Sequence, residues 1–285
     1  MTSTLQRLPD YTIELLITIP WAEVAAAYEK VVTGAVNATE ISGFRKGKAP
    51  RNVVEEKLDK SKLYEEAIKQ LIPVAYGKAI EEHNIRPIVQ PKIELKEALE
   101  QKDWIVRALT CERPVLKLGE YKKAIAELKS AKQKKIWVPG ADQKQDEKDK
   151  PQKPTLDELL KAVYETITID IPALLTEHEV NRLLSDLIDQ TKKLGMSVEQ
   201  YLSSTGRSAE GIRKEYEQQA RRTLTLEFAL EEIADKEGIL ISDDDIDTVL
   251  KTAKSDEEKK ALQSQRYYVA SVLRRQKTID FLAAL

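Results

Sequence analysis

Apolar positions along the chain change period twice, and the changes divide it. Residues 11–19 combine β-branched and aromatic residues with partial alternation, which predicts a strand. Pro20 and Trp21 then open a helix, proline being well suited to a first turn. Val24, Ala27, Tyr28, Val31 and Val32 recur in it at helical spacing. Two glycines and a proline between Ser42 and Pro50 mark a loop. A short helix is expected near Arg51–Leu58. A longer one is expected from Ser61 to about Glu82, with Leu63, Ala67, Ile68, Leu71 and Ala75 on one face and Pro73 as a candidate kink. Residues 92–96 and 103–112 read as paired strands, so the first part of the chain is an α+β domain.

From residue 155 the pattern is helical throughout. Four helix starts are predicted from capping-box spacings: Thr155 with Glu158, Thr176 with Glu179, Ser197 with Gln200 and Ser255 with Glu258. Val180, Leu183, Leu184, Leu187, Ile188 and Thr191 stripe a helix ending near Gly195. A long helix is expected from Ser208 to Lys236, with Gly238 near its end, and another from Ser255 to the C-terminus. No fixed-period repeat is visible.

Composition sharpens this division. Of 285 residues, 41% are hydrophobic, 33% charged and 6% aromatic, which fits a soluble protein with much exposed surface. The net charge of −2 conceals about five excess positive charges over residues 117–153 and about seven excess negative ones over 155–285. A globally basic nucleic-acid binder is disfavoured; a local basic contact is not. The run Asp142–Pro154 is almost wholly Lys, Asp, Gln, Glu and Pro, and cannot bury enough apolar area to offset its ordering entropy. Residues 139–154 are therefore expected to be a flexible linker. No apolar run approaches the 18 or so residues that span a bilayer, and Pro9, Asp10 and Glu14 interrupt any secretory signal pattern. One cysteine, Cys111, precludes an intramolecular disulfide and suits a reducing compartment.

Candidate chemistry is sparse. His83 and His178 have neither an HExxH pattern nor a second histidine at ligand spacing, and both are expected at the surface. Cys111 lacks a nearby histidine and reads as a structural thiol. The segment Gly43–Lys48 superficially resembles a phosphate loop. It has three rather than four residues between its glycines and Ala49 where a hydroxyl residue is required, so nucleotide binding is rejected. Asp243, Asp244, Asp245 and Asp247 lack the glycine and terminal glutamate of a calcium loop; Ser242 ahead of them reads as a helix N-cap. No cofactor or metal is expected.

The loop has its own chemistry. Phe44 stands between glycines, flanked by Arg45, Lys46, Lys48 and Arg51. Such a tip can make charge-assisted contacts to phosphate or carboxylate while the ring stacks or fills a pocket. The plain alternative is a solvated turn whose Phe44 folds back onto its own domain.

The string Gly43-Phe44-Arg45-Lys46-Gly47-Lys48-Ala49-Pro50 resembles the GFRxGKxP signature of the bacterial trigger factor family, and it falls between the first helix and the next, where that family carries it. The resemblance implies an α+β N-terminal ribosome-binding domain over 1–120, which the Leu116–Tyr121 stretch closes, and an all-α C-terminal chaperone domain over 155–285. The whole would be elongated and mainly helical. Ile169-Asp170-Ile171-Pro172 before a Glu-rich helix start is similar to the family's C-terminal pattern. About 35 residues, 121–154, stand as a charged linker where the family usually inserts a prolyl-isomerase domain. The implied function is a cytoplasmic, non-enzymatic, ATP-independent chaperone. Gly43, Phe44, Arg45, Lys46, Gly47 and Lys48 would dock it to a ribosomal protein and rRNA at the large-subunit exit tunnel. The helical domain would hold unfolded or nascent chains; self-association is left open. Leu174, Leu175, Tyr201, Leu202, Tyr267, Tyr268 and Phe281 are candidate client contacts, with core the commoner fate of each. A ribosome-independent holdase or assembly chaperone with the same fold is the alternative; a prolyl isomerase is disfavoured by chain length.

Overall fold

The computed structural model describes residues 1–38, 50, 53, 60–133, 154–251 and 255–285. They form two compact units, Met1–Arg113 with Pro172–Leu175, and Pro114–Ile171 with Thr176–Leu285. The expected α+β N-terminal part followed by a helical C-terminal part is what the chain adopts.

The first unit is built on an antiparallel sheet in the order β1-β2-β4-β3: β1 (Thr2–Arg7), β2 (Ile13–Ile19), β3 (Lys92–Glu97) and β4 (Trp104–Thr110). Alternate residues of the two central strands point inward. Ile13, Leu15, Ile17 and Ile19 from β2 and Trp104, Val106 and Ala108 from β4 are buried in one cluster. Among the described residues, the helices α1 (Trp21–Ala38) and α2 (Lys60–His83) pack in this unit. Val24, Ala75 and Ala79 join the sheet's core, while Ala27, Tyr28, Val31 and Val32 of α1 pack with Leu63 and Ala67 of α2. Each residue expected on the buried stripe of α1 is buried. Pro20 does open α1, its carbonyl accepting from the Glu23 and Val24 amides. Pro73 lies inside an unbroken α2. Strand β1 was not foreseen: its Thr, Ser and Gln residues give no run of β-formers, and it is ordered by pairing with β2 from Thr2↔Thr18 to Arg7↔Ile13. The expected helix near Arg51–Leu58 lies outside the described residues except Val53.

The second unit begins with β5 (Leu116–Leu118), paired antiparallel with β6 (Ile167–Ile169). This corrects the reading of residues 155 onward as helices only. Three residues are too few to show a period, and the partner strand lies far upstream in sequence. A second correction concerns the segment from 121. It opens with a helix, α3 (Tyr121–Gln133), because Tyr121 and Ile125 are fully buried and Leu128 packs beside them at i, i+4, i+7 spacing. Their core is shared with Leu159 and Val163 of α4 (Leu156–Tyr164), Leu230 and Ile233 of α7 (Ala209–Lys236) and Leu282 of α10 (Arg266–Ala284).

Between them run α5 (Ala173–Lys193), α6 (Val198–Thr205), α8 (Asp243–Leu250) and α9 (Asp256–Ser264). The capping boxes at Thr155 and Ser197 form as expected, and Ser242 caps α8 with Asp245 closing a third. Ser208 caps α7 by accepting the Gly211 amide at 3.0 Å. Thr176 is not a cap. It is a buried residue inside α5, which starts just after Pro172, so the capping-box pattern there is incidental. The single C-terminal helix expected from Ser255 is divided at Gln265, whose ψ of 28° leaves the helical region without a glycine or proline to mark the break.

Gly119 is the tightest point of the β5–β6 pairing. Its amide donates to the Thr166 carbonyl at 3.0 Å, and a Cβ there would lie 2.4 Å from that oxygen. Gly119→Ala is expected to destabilise the second unit by about 1–3 kcal/mol, read as a lower urea midpoint; an unchanged midpoint would show that the backbone yields freely. A pH effect comes from Glu158, which Lys132 and the Thr155 amide hold at about 2, below the usual 4.5. A depressed carboxylate stabilises above its ordinary pKa and loses that contribution as pH falls toward the folded value. The Tm gap between wild type and Glu158→Gln is therefore expected to close as pH drops from 4.5 toward 2, and a gap that stays constant contradicts this.

Candidate functional site

Gly43, Phe44, Arg45, Lys46, Gly47 and Lys48 lie outside the described residues. What the structure places is their mount. Helix α1 is described as far as Ala38 and α2 from Lys60, and these two helices, which flank the string in sequence, pack against each other. Tyr28 of α1 and Tyr64 of α2 stack with ring centroids 4.4 Å apart, and Tyr64 leans on Trp104 of β4 at 5.9 Å. Offset aromatic pairs contribute about 0.5–1.5 kcal/mol beyond their burial, so the helices are braced to each other and to the sheet. The ammonium of Lys60 donates to both oxygens of Glu100 at 3.0 and 3.3 Å, tying the first residue of α2 to the β3–β4 connection. Glu100 is also the main reason the Lys60 amine is held above its ordinary pKa.

In the second unit the apolar candidates separate. Tyr267 is 95% and Tyr268 66% exposed, at the start of α10. Phe281 packs against the main core of that unit, and Tyr201 and Leu202 are half-buried. Leu174 and Leu175 are buried. Leu194 and Leu240, at 71% and 77%, are exposed apolar residues the sequence reading passed over. Leu194 precedes Gly195 and Leu240 stands two residues after Gly238, both helix-ending glycines with positive φ, where periodicity stops assigning faces. That nearness to a glycine was the available signal.

Two family models account for almost the whole chain. The model described as bacterial trigger factor protein matches residues 1–137, and that of the bacterial trigger factor C-terminus matches 141–284. The chain belongs to the bacterial trigger factor family. The two matched regions nearly abut, leaving no room for an isomerase domain between them. Trigger factor from Pelotomaculum thermopropionicum is 38% identical over 122 residues, which are 43% of this chain and 28% of that protein; trigger factor from Staphylococcus carnosus matches to the same extent. The chain thus aligns with less than a third of the length of these curated relatives. A solved structure, from work on promiscuous substrate recognition in folding and assembly activities of the trigger factor chaperone, shares the fold with a TM-score of 0.64 and 14% identity, covering 100% of this chain and 99% of that one.

The remaining candidates of this trigger factor chain are His83, His178 and Cys111. His83 ends α2 and its Nε2 hydrogen-bonds the Ser3 hydroxyl at 3.0 Å; it is half-buried rather than at the surface, because β1 lies alongside. His178 is exposed. Among the described residues no group of three His, Cys, Asp or Glu side chains could hold a metal, and no helix is long and apolar enough to cross a membrane. Cys111 is fully buried, and burial pushes its thiol up to about 11. Since the thiolate is the reactive form, Cys111 is expected to resist a thiol reagent at neutral pH until denaturant is added; labelling of the native protein at the rate of a free thiol would contradict its burial.

Proposed function

We propose that the chain is an ATP-independent, non-enzymatic chaperone of the cytoplasm that docks at the ribosomal exit tunnel through Gly43, Phe44, Arg45, Lys46, Gly47 and Lys48 and shields apolar segments of emerging chains. The observation that carries the reading is the signature string between two helices that the Tyr28–Tyr64 stack braces. Ribosome binding is the role of this family. Arg45 can pair bidentately with a phosphate or carboxylate, Lys46 and Lys48 add point charges, and Phe44 supplies an apolar anchor.

The holding function falls to the second unit. Tyr267, Tyr268, Leu194 and Leu240 present apolar surface on a strongly charged background. Dispersed contacts of this kind give weak, promiscuous binding rather than one deep pocket. Release needs no nucleotide: a client that buries its own apolar surface withdraws it from the chaperone. The partners are a ribosomal protein, neighbouring rRNA and unfolded polypeptide.

Co-sedimentation with purified large subunits tests the docking. Wild type is expected to pellet in a salt-sensitive way, since phosphate contacts weaken with added salt. The variant carrying Phe44→Ala, Arg45→Ala and Lys46→Ala is expected to remain in the supernatant. If both stay in the supernatant, the ribosome assignment fails and a ribosome-independent holdase takes its place; equal pelleting of both moves the contact off the loop.

A further inference from the structure

Among the described residues, β1 and β3 are the two edges of the first unit's sheet, each paired on one side only. The edges differ. β3 is charged at Lys92, Glu94, Lys96 and Glu97, follows Pro91, and shifts its register with β4 between Leu95 and Glu97. Charge, an irregular register and proline keep an edge from recruiting a foreign strand. β1 has none of them. It reads Thr-Ser-Thr-Leu-Gln before its first charge at Arg7, and its register with β2 runs unbroken from Thr2 to Arg7.

β1 is also held in place. Met1 and Leu5 pack against the sheet's core. The Ser3 hydroxyl donates to Glu82 of α2 and lies 3.0 Å from His83 Nε2, and Arg7 pairs with Glu112 at 3.0 Å. At the head of the strand opens a cleft of about 360 Å³, with Met1, Ala26, Leu71 and Val74 as its apolar lining. Glu23 beside them is taken up by the Met1 amino group at 3.2 Å. Val74 is 53% exposed.

We propose that the free edge of β1 takes up an extended, uncharged segment of client polypeptide as an added strand, with an apolar side chain of that segment seated over Val74 and Leu71. The proposal rests on the polypeptide-holding role above and adds to it a backbone-reading site in the first unit. Only an extended chain matches a row of backbone groups in the strand's own repeat. Main-chain hydrogen bonds read no sequence, which suits a holder of varied clients. Because β1 is pinned along its length, the incoming segment alone has to be ordered. Side chains of an added strand alternate between two sides. One set lies with the exposed Thr2, Thr4 and Gln6; the other lies with Ser3 and Leu5, on the side that α2 covers. Met1 shares that second side by alternation and lines the cleft, so apolar residues at every second position are selected.

The test is an NMR titration of the full chain, without ribosomes, by acetyl-Thr-Val-Thr-Val-Thr-amide and by the same peptide N-methylated at every residue, which keeps its side chains but cannot donate to an edge. The first peptide is expected to shift the β1 amides saturably and slow their exchange with solvent, leaving those of β3 unchanged. The methylated peptide is expected to do neither. Val74→Ser, at an exposed position, should weaken binding by about fivefold. Thr4→Lys gives β1 the kind of charge that guards β3 and should weaken it by at least as much. Equal responses to the two peptides, a response at β3 in place of β1, or no response overturns the proposal. So does a chain that light scattering finds dimeric and that Thr4→Lys makes monomeric, because the edge then belongs to a second copy. Shifts confined to Tyr267 and Tyr268 keep the holding role in the second unit and remove this site from it. Failure of the holding role itself reads differently, as aggregation of an unfolded client that the chain does not slow.

Discussion

Burial of one face of β2 is the constraint on which the first unit depends. Ile13, Leu15, Ile17 and Ile19 are each at most 2% exposed, and their strand is paired on both sides, with β1 and β4. A slip of one residue would turn all four to solvent and bring Glu14, Leu16 and Thr18 into the core. The register is reinforced on the opposite face, where Arg107 of β4 bridges Glu14 of β2 and Glu94 of β3. That pairing fixes where Trp104 stands. Trp104 supports Tyr64, Tyr64 supports Tyr28, and the two tyrosines hold together the helices that bear the signature loop.

The second unit solves a different problem. Its helices are polar on much of their surface and need a common anchor. Tyr121 supplies one: its ring is buried with Ile125, Leu159 and Ile233, while its hydroxyl donates to Glu237 at 2.7 Å just beyond α7. Lys122 pairs with the same glutamate, and the Lys236 ammonium lies 5.7 Å from the Tyr121 ring centroid. A single side chain thus serves as core, hydrogen-bond donor and cation–π partner. The more distal cluster of Ile246, Leu250 and Val269 is small and separate, and the exposed Tyr267 and Tyr268 adjoin it in sequence. Surface apolar groups there cost little, because few core contacts depend on those positions.

The two units differ in kind. In the first, the two described helices that flank the basic, aromatic string in sequence are braced to each other and to the sheet. The second is a helical body with dispersed apolar exposure.

Helix content and most helix limits were legible in the residues. The stripe of α1 and the caps at Thr155, Ser197, Ser208 and Ser242 are local signals, since a cap and its partner lie within one turn. The signature string, the lack of a nucleotide motif and the family resemblance were equally local. Strands β1, β5 and β6 were not, being short or polar and ordered only by partners elsewhere in the chain. The helix at 121–133 was obscured by its lysines and defined by burial of two residues against distant helices. Thr176 shows the converse failure, a capping pattern that a preceding proline and tertiary burial overrode. Which apolar residues stay exposed, and that Lys60 meets Glu100 forty residues away, were decided by tertiary structure alone, because periodicity assigns a side to a residue but not the neighbour that covers it.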